Sequence, residues 1–285
     1  MENFEKILQM DFESGELFLL NKAQNWTSFD VVNKVRYAVK RYMLKKRFKV
    51  GHAGTLDPLA TGLLLIAVGR MTKRIEEFQG HEKEYCGSIF LGATTETYDS
   101  EMEPNQFFDV SHITEDMICE KVLTFTGEIW QLPPIYSALK VEGKRLYKSA
   151  RKGLAVKSRP RNVMVHSFEI TKIEMPLVHF KVVCSKGTYI RSLANDLGEA
   201  LGAGAYLASL QRTRIGDFLL EDAWEPQDLT DAIYQARDLR KAAFHEKERL
   251  AMEQEQDEGK DLAIQQQQAQ EKGKQGQEQS NEDLA

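Results

Sequence analysis

The order of segments predicts an α+β fold: a mixed or antiparallel sheet flanked by helices. Three observations carry that expectation. Strand-like segments arrive late and in pairs, not in strict strand–helix–strand order. Helix-like segments with apolar residues at helical spacing fall between them. Residues 241–285 carry no core-forming pattern and predict a low-complexity tail outside a catalytic-sized body of residues 1–240.

Each element has its own signal. Glu16 to Leu20 (ELFLL) reads as a strand. Ser28 is a good helix N-cap, and Val31, Val32, Val35 and Ala38 follow at helical spacing, predicting a helix through about Tyr42. Leu63 to Val68 (LLLIAV), bounded by Gly62 and Gly69, predicts a buried strand, and Glu84 to Leu91 another. Ile113 to Phe125 predicts a helix. Phe168 to Glu174 and Leu177 to Cys184 predict a hairpin around Met175-Pro176. Arg191 to Leu201 predicts a helix that Gly202-Ala203-Gly204 stops, and Asp228 to Phe244 a last docked helix. Beyond Glu246 the chain is mostly Gln, Glu and Lys, a composition that buries too little surface to offset its ordering entropy, so it reads as disordered or loosely helical.

Composition narrows the class. Apolar residues are 42% and charged residues 28% of 285, as in a soluble globular chain. No apolar run reaches the ~20 residues of a membrane span, and the acidic start MENFEKILQMDFESGE lacks a signal peptide's pattern. Three scattered cysteines, without a CxxC pair, argue against a disulfide framework or zinc ribbon and for a reducing, cytoplasmic location. Six scattered histidines form no metal-ligand pair, so no metal is expected.

The net charge of −5 is confined to the tail: residues 241–285 hold six basic and eleven acidic side chains, and the remaining 240 residues balance at 32 each. Within that neutral body the charge is blocky. No acid occurs between Val31 and Leu56, against eight Lys/Arg; between Gln131 and Phe168 one acid, Glu142, faces nine Lys/Arg interleaved with Tyr136 and Tyr147. Such blocks suit a polyphosphate partner, though a solvated basic surface is the plainer alternative. The stretch 131–160, with Pro133-Pro134, Gly143 and Gly153, is longer than an ordinary connector and predicts a flap, helical near Leu146 to Lys152, that closes on a ligand.

The segment GHAGTLDPLATGLLL, from Gly51 to Leu65, is the most informative. Asp57 is the only carboxylate between Asp30 and Glu76, Pro58 stiffens the turn behind it, and three glycines permit sharp turns and close approach. An isolated carboxylate among cations stays ionised and can serve as nucleophile or general base. Taken alone, Asp-Pro reads more readily as a helix cap, Asp at the N-cap and Pro in the first turn.

The same segment, with GRMTKRIEEF (69–78), KEYCGSIFLGATTETYDSEM (83–102), GEIWQLPPIYSALKVEGKRLYKSARKG (127–153) and CSKGTYIRSLANDLGEALGAGAYLASLQRTRIGDF (184–218), resembles the TruB family of tRNA pseudouridine synthases, bacterial type. The resemblance covers about residues 15 to 225. It implies the pseudouridine synthase fold, with residues 131–160 as the inserted thumb, and a reaction converting uridine 55 of the tRNA TΨC loop to pseudouridine without cofactor or metal. By the family's motifs, Asp57 is the essential nucleophile or base and Arg191 its ion-pair partner. Tyr85 would stack on the flipped uracil and assist the late proton transfer. His52 would hold the loop with the base everted, and Tyr189 and Leu210 would line the pocket. Lys73 would contact RNA phosphate or assist in the pocket. Without the resemblance, His52, Tyr85 and Leu210 read as packing residues, and Arg191 as a cation that a helix's first turn disfavours. The residues after 225 do not resemble the family's C-terminal PUA module, which implies weaker or more compact binding of the tRNA T-arm; a monomer is expected. Two other readings stand beside the enzyme: an RNA-binding chaperone that helps tRNA fold, and a guide-dependent synthase within a ribonucleoprotein.

Overall fold

The structure, a computed structural model, describes residues 3–136, 140–141, 144–145 and 159–282. In chain order its strands are β1 (Leu17–Lys22), β2 (Val50–His52), β3 (Thr61–Val68), β4 (Lys83–Leu91), β5 (Ala93–Thr94), β6 (Gln106–Phe107), β7 (Gly127–Gln131), β8 (Lys140–Val141), β9 (Lys144–Arg145), β10 (Arg161–Glu174), β11 (Leu177–Cys184), β12 (Ala205–Ile215) and β13 (Phe218–Leu219). Its α-helices are α1 (Asn3–Leu8), α2 (Ser28–Tyr42), α3 (Ile75–Gly80), α4 (Glu115–Leu123), α5 (Ile190–Ala200) and α6 (Pro226–Glu282). One nine-stranded sheet runs β1-β3-β12-β4-β11-β10-β7, with β2 added to β3 and β13 to β12. Every pairing in it is antiparallel except β3 with β12, so the sheet is mixed.

β3 shows how the pattern TGLLLIAV produces a central strand. Its residues from Gly62 to Val68 are all buried, and alternation sends Leu64, Ile66 and Val68 to one core and Leu63 and Leu65 to another. The first core is sealed by α2, α6 and α1. A third core lies where α4 and α5 pack against β4, β10, β11 and β12, around Ile89, Phe180, Leu193 and Leu207. Gly62 lies at φ +98, and a Cβ there would stand 2.4 Å from the Arg212 carbonyl; only glycine lets β12 come that close.

The predicted strands at 16–20, 63–68 and 84–91 and the hairpin around Met175-Pro176 are present, with β10 extending back to Arg161. Two readings change. The cap of α2 is Thr27, not Ser28: Thr27 and Asp30 form a reciprocal capping box, and Ser28 is the first helical residue. Asp57-Pro58 starts no helix; Ala60 N–H bonds the Asp57 carbonyl at 3.1 Å, making a tight turn between β2 and β3. The last helix is longer than 228–244. The backbone of α6 continues to Glu282, with exposed side chains throughout 241–254, so it leaves the body as the polar composition of that stretch dictates. Most of the predicted thumb, including the helical turn at 146–152, lies outside the described residues.

Core and cap should be separable by equilibrium denaturation. Leu64→Ala is expected to cost about 2–5 kcal/mol through lost burial and a residual cavity. Thr27→Ala should cost about 1 kcal/mol through the lost cap. Equal midpoints for the two variants would contradict this description of β3 and α2.

Candidate active site

The turn that carries Asp57 faces a cleft of about 1010 Å³ lined by the Gly54–Asp57 loop, β4, the start of β10, the 185–191 turn into α5, and β12. That volume is at the upper end for a small-molecule site, with room for a nucleoside and its neighbours. Among the described lining residues Asp57 is the one carboxylate, set against Lys83, Arg161, Lys186, Arg191 and Arg212. The Asp57 side chain is 42% exposed, so it is open to a ligand, whereas Arg191 is 7% exposed.

Arg191 is the second residue of α5, and its guanidinium is shared. Nη2 lies 3.0 Å from Asp57 Oδ2, and Nη1 lies 3.3 Å from Asp99 Oδ2. Nη1 also donates to the Thr97 carbonyl at 3.2 Å and Nη2 to the Tyr136 carbonyl at 3.1 Å. Two carboxylates and two carbonyls thus hold one cation at the mouth of a helix whose N-terminal dipole opposes it. Asp99 is fully buried. Its Oδ1 accepts from Thr97 Oγ1 at 2.5 Å and from the Glu101 N–H at 3.0 Å. Burial pushes its carboxyl above the usual carboxylate range, opposed by the Thr97 hydrogen bond and the Arg191 charge. Asp99 was not singled out by sequence, because nothing local distinguishes it from the other acids of ETYDSEME.

The remaining predicted residues divide between cleft and surroundings. Tyr85 on β4 and Leu210 on β12 line the cleft beside Asp57, as does Tyr189. Burial raises the Tyr85 phenol above its ordinary value, and the Arg212 cation opposes that rise. Tyr189 is the residue before α5, and its backbone is gripped by Gln131 of β7. Tyr189 N–H donates to Gln131 Oε1 at 2.7 Å, and Gln131 Nε2 donates back to the Tyr189 carbonyl at 2.9 Å. His52, at the end of β2, does not line the cleft; burial lowers its pKa, so the neutral ring is favoured behind the loop. Lys73 is exposed on the short 3-10 turn Gly69–Arg74 and lines a separate groove with Lys45, Arg47, Lys49 and Arg70. It therefore lies in a groove of four further basic side chains and Glu13, away from the Asp57 cleft.

Arg212 is the largest fully buried side chain and belongs to the cleft floor. Its Nε donates to the Leu63 carbonyl at 2.7 Å and Nη2 to the Gly54 carbonyl at 3.2 Å, so one guanidinium ties β12 to β3 and to the loop before Asp57. Gly54 itself sits at φ +102, a conformation that glycine takes at little cost. Lys83, also buried, has its ammonium pushed down to about 8 by burial. No group of three metal-ligating side chains occurs among the described residues, and none of the described helices is long and apolar enough to cross a membrane.

Comparison with known proteins places the chain among relatives. A family model described as TruB family pseudouridylate synthase (N terminal domain) matches residues 40–190. A second, described as tRNA pseudouridylate synthase B C-terminal domain, matches 191–250, ten residues past the predicted end of the body. The tRNA pseudouridine synthase B of Parabacteroides distasonis is 48% identical over 226 residues, covering 79% of this chain and 96% of that protein. That of Flavobacterium johnsoniae is 51% identical over 214 residues, covering 75% and 93%. Among solved structures, a Cbf5-Nop10-Gar1 complex superposes with a TM-score of 0.58 at 30% identity. The match covers 79% of this chain, which spans 56% of the solved one. With family models and near-full-length relatives in agreement, the chain belongs to the TruB family of pseudouridylate synthases.

Proposed function

We propose that this protein converts uridine 55 in the TΨC loop of tRNA to pseudouridine, with Asp57 as the essential nucleophile or base. The observation that carries the reading is the Asp57 carboxylate, open to the cleft, held 3.0 Å from Arg191 and otherwise facing cations. The names of the relatives at about half identity supply the substrate class, tRNA.

The reaction breaks the N1–C1′ bond and rejoins the same base to C1′ through C5; C5 gives up one proton and N1 takes up one, so the product is an isomer of the substrate and no atom comes from a cofactor. A base inside a folded loop must first be extruded, at a cost of a few kcal/mol. Contacts between the cleft's cations and RNA phosphates offset that cost. Arg191, 3.0 Å from its Oδ2, holds Asp57 aimed at the sugar–base junction. Tyr85 and Leu210 flank the extruded ring. Tyr85 assists the loss of the C5 proton: its phenol, which burial keeps protonated, passes its own proton to solvent water as it takes up the one from C5, and the Arg212 cation stabilises the negative charge that develops on the oxygen meanwhile.

The stand-alone enzyme is preferred over a guide-dependent one because the tRNA-named relatives match over 93–96% of their own length. It is preferred over a pure chaperone because RNA binding alone gives no reason to aim a carboxylate with a buried arginine.

Two outcomes test the site. Asp57→Asn is expected to release no tritium from C5-labelled uridine in tRNA while still retaining the RNA on a filter; undiminished release would defeat the assignment. Asp99→Asn is expected to slow single-turnover conversion by about 10²-fold, the order of loss for a misplaced reacting group. The pH dependence follows from the raised Asp99 carboxyl. As pH falls, that group takes up its proton before an ordinary carboxylate does and loosens its hold on Arg191. The acid limb of the wild-type rate should therefore lie above the range of an exposed carboxyl, and Asp99→Asn should lose that limb.

A further inference from the structure

We propose that Ser28 and Glu101 are positioning residues for the reaction, clamping the backbone on either side of Asp57 from two distant segments. This rests on the reading of Asp57 above.

The Asp57 turn has no regular secondary structure; within it the Pro58 ring and the Ala60 N–H to Asp57 carbonyl bond restrain the backbone but leave its seat in the fold to outside contacts. Ser28 is 3% exposed, and its hydroxyl engages both polar groups of Leu56, the residue before Asp57. It accepts from the Leu56 N–H at 2.8 Å and donates to the Leu56 carbonyl at 3.0 Å. This is possible because Thr27 and Asp30 take over the capping of α2, which leaves the Ser28 hydroxyl unspent on its own helix.

On the other side, Glu101 Oε1 accepts from the N–H of Leu59, two residues beyond Asp57, at 3.0 Å. Its delivery is also determined. Tyr98 N–H and carbonyl flank a strap in which Leu207 N–H bonds the Tyr98 carbonyl at 2.9 Å and Ser100 N–H bonds the Leu207 carbonyl at 3.0 Å. Tyr98 holds φ +62, a conformation costly for a residue other than glycine and retained only where the surroundings enforce it. Asp99 Oδ1 then receives the Glu101 N–H. The strap that brings Asp99 to Arg191 thus brings Glu101 to the Asp57 turn, so both ends of the ion-pair network are registered to β12.

Between these two side chains the turn is closed by backbone and by one lysine. Asn25 N–H donates to the Pro58 carbonyl at 2.8 Å, Lys22 Nζ approaches the same carbonyl at 3.4 Å, and Ala60 N–H bonds the Asp57 carbonyl. Neither Ser28 nor Glu101 lines the cleft, so neither is placed to touch a bound nucleoside. Their effect on the reaction passes through the carboxylate they aim.

The test is single-turnover pseudouridine formation on an unmodified tRNA transcript, with tRNA affinity by filter binding and the thermal midpoint measured on the same preparations. Ser28→Ala and Glu101→Ala are expected to slow the chemical step by ~10–10²-fold, the order for a reacting group displaced by about 1 Å, with tRNA affinity unchanged. Glu101→Gln keeps an acceptor oxygen without the charge and should regain most of the rate lost in Glu101→Ala. Thr230→Ala removes another buried hydroxyl, on α6, and serves as the control for stability alone: it should lower the thermal midpoint without slowing conversion. Wild-type single-turnover rates in Ser28→Ala and Glu101→Ala would overturn the proposal. So would rate losses matched by Thr230→Ala at equal loss of stability. Asp57→Asn, run in parallel, separates the two levels: activity in that variant removes the catalytic reading itself, whereas its inactivity alongside fully active clamp variants removes only the clamp.

Discussion

One guanidinium organises the centre of this molecule. Arg191 lies between an exposed carboxylate, Asp57, and a fully buried one, Asp99, and is held besides by two backbone carbonyls. A buried cation is tolerable only when its donors are satisfied, and a buried carboxylate only when paired. Buried Arg191 and Asp99 therefore require each other, and the half-exposed Asp57 joins them at the cleft, although the three come from a helix, a strap and a loop far apart in sequence. Only one oxygen-bearing end of the network opens to the cleft. The cost of burying the other end maintains a directed charge where a ligand can meet it.

The sheet makes that juxtaposition possible. The parallel contact of β3 with β12 brings Gly62 against the Arg212 backbone, and Arg212 in turn holds the Leu63 and Gly54 carbonyls. The loop bearing Asp57 is thus tied to the strand bearing Leu210, while β4, next to β12, presents Tyr85 to the same space. Charge follows the same geometry. A body neutral in sum gathers cations around one carboxylate and gathers more in the groove of Lys73, so an RNA backbone meets positive potential on both.

Much of this was legible in the residues. A short apolar run bounded by glycines marks a strand buried on both faces, and β3 is one. The isolation of Asp57 among cations is visible in the chain, and Asp57 stays the one carboxylate among the described lining residues of the cleft, although folding brings Asp99 to the same arginine and Glu101 to the same turn. The resemblance placed Arg191 opposite Asp57, where the side chains meet. Less legible features depended on contacts between distant segments. Ser28 and Thr27 are equally good caps by type; which one serves is decided by the Leu56 backbone, which draws the Ser28 hydroxyl away. β12 hides because it lies mid-sheet with irregularities between Leu207 and Ser209 and between Arg212 and Arg214, which break any alternation. Asp99 and Glu101 sit in a polar stretch that reads as an ordinary acidic loop until β12 pins it. His52, next to the glycine turn in sequence, ends β2 opposite Ile66 of β3 and does not line the cleft.

The most direct measurement is made on the protein without any substitution. Purified protein is incubated with an unmodified tRNA transcript, and the isomerised nucleotide is mapped along the chain. Conversion at uridine 55 alone, over many turnovers and without a guide RNA, is the predicted result. Conversion at another position, or none without an added guide, would contradict the account.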